Sequence, residues 1–135
     1  MEAKRERFYR GLFLVGALYD FILGIVFIFF YGWAFSLLGI SEKLPEFTGY
    51  IALIGAFLFV IGIAYWFIYL GDLYQNRDLI AVGALYKLAY CSVAFIYFAL
   101  GSVPHILFVV LFGVIDLIMF VLMLECWLYI RKTTT

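Results

Sequence analysis

Charge is scarce in this sequence. Nine lysines and arginines balance nine aspartates and glutamates, so 13% of the 135 residues are charged and the formal net charge is zero. Soluble domains carry ~25% charged residues, and a chain of this size needs polar side chains to coat the ~30% of its surface that stays outside. The even balance also excludes a basic face for nucleic acid. Cysteine occurs twice, proline twice and histidine once. A disulfide scaffold and a histidine–cysteine metal centre are therefore excluded, and few helix breaks are available. Apolar side chains take up the composition instead: 68% are hydrophobic, 22% aromatic, and the mean hydropathy is +1.14. The solvent of such a chain is lipid.

A spanning helix needs ~20 mostly apolar residues to cross a hydrocarbon core of ~30 Å. From Gly11 to Ser41 the only charge is Asp20, and Phe47 to Gly71 carries none. Leu79 to Leu100 contains Lys87, and Pro104 to Ile130 contains Asp116 and Glu125. These runs are continuously apolar, not alternating, which rules against transmembrane strands. The fold class is therefore all-α: a polytopic membrane protein built as one up-down-up-down bundle of four transmembrane helices, at 11–38, 46–71, 79–100 and 104–130. Gly39 and Gly101 are placed to stop helices, Pro45 to lie in the first turn of the second, and Asp78 to cap the third.

Lysines and arginines set the orientation. Lys4, Arg5, Arg7 and Arg10 precede the first span, Arg77 and Lys87 lie at or near the middle loop, and Arg131 and Lys132 follow the last, against Lys43 alone on the other face. Both termini are expected in the cytoplasm, in an inner (cytoplasmic-type) membrane. The basic start followed by an apolar run resembles a signal peptide, but the run is too long for one and reads as a signal anchor. Paired aromatics such as Tyr31 and Trp33 fit an interfacial belt. Cys91 and Cys126 lie at different depths and read as packed thiols. His105, alone at the outer border, lacks the further ligands a metal needs.

Gly16-Ala-Leu-Tyr-Asp20 recurs as Gly83-Ala-Leu-Tyr-Lys87, four identities in five, within helices that run the same way. Both motifs are expected in the first turns of their spans, which brings Asp20 and Lys87 to matching depth. Unpaired charges in a span are costly and either pair or face a cavity. The expected charged cluster is Asp20, Lys87 and Asp116, with Asp72 and Glu125 at its mouth on the cytoplasmic side, and its carboxylates outnumber its one lysine. Tyr19, Tyr86 and Tyr90 are candidate polar partners. The face Gly55, Phe59, Gly62 and Trp66 is expected to turn the second span inward. A folding clamp and a site for a proton, an ion or a polar ligand head both fit the charges, as does docking onto another membrane subunit.

The short basic start, the Gly-rich first helix, the Asn76-Arg77-Asp78 loop, Gly83 to Lys87 and Gly113-Val-Ile-Asp116 together resemble small bacterial four-helix membrane proteins of the DoxX-like kind. That resemblance implies the fold and, for some members, a link to quinone-dependent sulfur oxidation; it assigns no catalytic residue here. With no nucleophile–base pair, phosphate loop or metal cluster, the leading reading is non-enzymatic: an accessory or scaffold subunit, or a binder of a small ligand or lipid through a cytoplasmic-side cavity. A proton- or ion-coupled transporter and a quinone-linked redox subunit are the alternatives. The expected partners are the bilayer, a second copy or a larger membrane complex, and no nucleic acid. No cofactor is required, although a quinone or lipid is a ligand the composition allows.

Overall fold

The computed structural model describes residues 2–133. Those residues are helical throughout their regular structure, with no strand among them. Helix α1 runs Ala3–Phe29 and a short α2 follows at Tyr31–Leu37. After a single 3₁₀ turn at Ser41–Lys43 come α3 (Gly49–Leu70), α4 (Arg77–Ala99) and α5 (Ile106–Thr133). Four of these, α1, α3, α4 and α5, are long and apolar enough to cross a membrane. Large apolar side chains such as Ile22, Phe57, Leu85 and Val121 cover the outside. An exterior of this kind is stable only in lipid, and the chain is an integral membrane protein.

The first span differs from the expected single helix at 11–38. It begins earlier, because Glu6 and Arg10 pair one turn apart at 3.2 Å and Tyr9 is buried against α5. It also breaks at Phe30, so that α2 folds back over the bundle end and buries Phe35 beside Phe108, ring centroids 5.6 Å apart. The other ends fall within a turn of expectation, but two local readings need correction. Pro45 precedes α3 by four residues and lies outside its first turn. Asp78 is fully solvated and caps nothing, while Asp72 holds the loop by accepting from the amides of Tyr74 and Gln75 at 2.7 and 3.3 Å. Gly39 and Gly101 both adopt φ +72°, closing α2 and α4 with paired backbone bonds that only a left-handed residue permits.

Helix α1 packs chiefly on α3 and α4 chiefly on α5, with α3–α4 and α1–α5 contacts closing the ring. Glycine sets the first of these distances. A Cβ on Gly24 would lie 2.8 Å from the Gly55 carbonyl oxygen, and one on Gly62 2.9 Å from the Phe21 amide. Lipid supplies no hydrophobic drive between spans, so this backbone contact is what gives the α1–α3 pair its dispersion energy. Arg10 then ties α1 to the far end of α3, donating to the carbonyls of Tyr69 and Gly71 at 2.7 Å each. Two apolar layers fill the interior. One, around Phe13, Ile68, Met123 and Ile130, lies toward the termini; the other, around Phe27, Phe35, Leu58 and Phe112, lies toward the opposite loops.

Candidate functional site

Between those layers lie the three charges that belong to the spans. Lys87 Nζ donates to Asp20 Oδ1 at 2.8 Å and to Asp116 Oδ1 at 3.0 Å, and all three residues are fully or almost fully buried. Lys87 reaches them from midway along α4, the helix that follows the middle loop. Asp20 sits about 26 Å along α1 and Lys87 about 15 Å along α4, so the repeated segments do not share the first turns of their helices. They meet because α1, with α5 beside it, extends well past the start of α4 at the basic end.

Aromatic rings complete the ammonium's surroundings. Lys87 Nζ lies 5.1 Å from the centre of the Tyr19 ring and 5.5 Å from that of Tyr65, both within reach of cation–π attraction. Tyr65 was missed in the sequence. Its hydroxyl donates to the Gly83 carbonyl at 2.7 Å, and its ring fits between the first glycines of the two repeats. A Cβ on Gly83 would come within 2.6 Å of that ring and one on Gly16 within 3.5 Å. The inward face of α3 is therefore Gly55, Leu58, Gly62 and Tyr65, one residue round from the expected one. Phe59 instead stacks on Phe21 at 4.4 Å, and Trp66 is exposed. The i+3 step from Gly62 was the available signal.

Asp116 owes its direction to an irregularity. Residues Val110–Ile115 form a π-helical stretch that ends at Asp116, and the Tyr19 hydroxyl donates to the Leu111 carbonyl within it at 2.6 Å. Such wide turns leave carbonyls free for other donors and gather at functional sites.

Two polar atoms in this layer have no partner among the described residues: Asp20 Oδ2 and the hydroxyl of Tyr86. Tyr86 rests on Tyr90, ring centroids 4.7 Å apart, and Tyr90 on Phe112 at 5.6 Å. Of the three expected tyrosine partners, Tyr19 thus bonds to backbone and faces the ammonium, while Tyr86 and Tyr90 form a stack beside the charges.

Asp72 and Glu125 do not belong to the cluster. Both are exposed. Asp72 shapes the middle loop, and Glu125 accepts from the Tyr9 hydroxyl at 3.0 Å and pairs with Arg5 at 3.5 Å. They were expected at the mouth because sequence distance from a helix end does not report how far that helix projects past its neighbours. His105 caps α5, its Nδ1 accepting from the Leu107 amide at 3.0 Å. Cys91 and Cys126 are buried free thiols.

Above the Tyr86–Tyr90 stack a cavity of about 530 Å³ opens at the end away from the termini. Phe27, Ile51, Tyr90, Ala94 and Phe108 line it, and Lys43 crosses its rim to donate to the Pro104 carbonyl at 3.1 Å. A cavity on the side of the termini and the middle loop was expected. The space lies instead beneath α2 and the loop that carries Lys43, where α3 and α4 leave an apolar gap. The chain matches no protein-family model, no curated protein and no solved structure.

Proposed function

We propose that the protein is a non-enzymatic membrane protein that binds a small, elongated, apolar or amphiphilic molecule in the cavity under α2. The observation that carries this reading is the cavity's lining: aromatic and aliphatic side chains around a drug-sized volume, with the few polar groups at its rim. The Lys87–Asp20–Asp116 triad acts as the clamp that holds α1, α4 and α5 together beneath the ligand. Lipids and quinones are of the right chemistry, and a quinone also fits the resemblance to DoxX-like proteins. The count of basic residues supports placing both termini in the cytoplasm of an inner membrane, with the cavity facing outward.

The test is mass spectrometry of the protein purified in mild detergent, beside Ala94→Trp, which fills the cavity. An apolar molecule carried by the wild type and absent from a variant with unchanged melting is the expected result. Equal retention by both, or none by either, would overturn the assignment.

One observation favours a second reading, a proton- or ion-coupled carrier working as a dimer or within a larger complex. Two carboxylates around one ammonium leave a formal surplus of one negative charge, and Asp20 Oδ2 has no donor. Intramembrane ionisable residues of this kind mark ion and proton paths in many transporters. A pH-driven flux in proteoliposomes that Asp20→Asn abolishes would select this reading over simple binding.

A further inference from the structure

A groove of about 490 Å³ runs along the outside of the bundle between α1 and α5. Its lining is apolar, including Phe8, Val15, Ile118 and Leu122, with one charged residue, Arg7, at the end nearest the termini. Gly11 lies in the lining with open space before it, since a Cβ there would meet nothing within 4 Å. Arg7, Gly11 and Val15 follow at intervals of four and share one face of α1. From Arg7 to Val15 the helix rises about 12 Å, close to half of a ~30 Å hydrocarbon core. The groove's length thus matches one leaflet, and it ends in a cation on the side of the termini.

Arg7 is exposed and takes no part in the ion pairs that occupy Arg5, Arg10 and Arg77. Lys43, at the opposite end, already donates to a carbonyl and leaves its cavity without a free cation of this kind. A guanidinium is the side chain best shaped to take a phosphate through two parallel bonds. We propose that the groove binds one anionic phospholipid of the leaflet on the side of the termini, its phosphate on Arg7 and an acyl chain over Gly11. This site is separate from the cavity under α2 and does not depend on what that cavity holds.

The experiment is native mass spectrometry of the full chain after reconstitution in equimolar phosphatidylglycerol and phosphatidylcholine and extraction into mild detergent. The wild type should retain one phosphatidylglycerol in about fivefold preference, the ratio expected from a single interfacial arginine. Arg7→Gln should keep a bound lipid but lose the preference, and Gly11→Phe should lose the lipid. Two matched controls guard against general effects. Lys4→Gln removes a neighbouring exposed cation, and Gly32→Phe fills an equally open glycine site elsewhere; both should behave as wild type. Wild-type retention without preference, unchanged retention in Gly11→Phe, or equal loss in the controls would overturn the proposal.

Discussion

Lys87 and Asp20 lie 2.8 Å apart, and each occupies the fifth place of the repeated Gly-Ala-Leu-Tyr segment. The two repeats thus end in opposite charges that meet across the bundle axis, with Asp116 as a third partner at 3.0 Å. This arrangement makes the substitutions unequal. Lys87→Met leaves two buried carboxylates facing each other and should cost about 3–5 kcal/mol, the scale for breaking a buried pair. Asp20→Asn leaves a balanced Lys87–Asp116 pair and should cost clearly less. The double variant Asp20→Asn/Lys87→Met should recover part of the lysine loss, giving a non-additive cycle in detergent melting. Strictly additive losses would refute the contact.

Glycines on the α1–α3 seam should tolerate nothing larger. Gly24→Ala places a methyl 2.8 Å from the backbone of Gly55 and must push the helices apart, at about 1–3 kcal/mol. Gly32→Ala, in open space, should change melting little or raise it. Equal shifts in the two variants would refute the close approach.

Removing the Arg10 guanidinium should free the last turn of α3. Arg10→Ala deletes two charged hydrogen bonds to the carbonyls of Tyr69 and Gly71, worth about 1–2 kcal/mol at this half-exposed position. Faster amide exchange confined to the end of α3 is the expected signature, and a uniform change along the bundle would contradict it.

Topology is open to thiol labelling, because the two native cysteines are buried and give low background. A cysteine at Lys43 should react with an impermeant reagent added outside intact cells, and one at Arg77 only after lysis. Labelling of the Arg77 position from outside would invert the orientation.

The spans and the central triad could be read from the sequence because both rest on composition along one helix. An apolar run announces a crossing, and Asp20, Lys87 and Asp116 each interrupt one. What could not be read depends on how helices are rotated and staggered. Tyr65 and Trp66 are neighbours of similar chemistry, and only the close seating of Gly62 against α1 decides which of them turns inward. The sequence puts Asp72 and Glu125 at the mouth of the cluster, but the reach of α1 and α5 past the start of α4 leaves both exposed and away from it. The cavity under α2 follows from a backbone break at Phe30 that no proline marks. A chain can therefore state which residues must be paired without stating how far around a helix each lies.

The π-helical stretch in α5 bears on length as well as direction. A wide turn adds one residue to a helix without advancing its pattern, so the two halves of α5 are indexed separately. Phe108 and Phe112 are set by the layer under α2, while Asp116, Met119 and Met123 are set by the layer toward the termini. Deleting one residue within Val110–Ile115 is therefore expected to close the wide turn into a regular helix with both halves on their present faces, and to take the Leu111 carbonyl away from the Tyr19 hydroxyl. The extra residue in this helix thus serves an acceptor for Tyr19 and leaves the facing of the two layers unchanged.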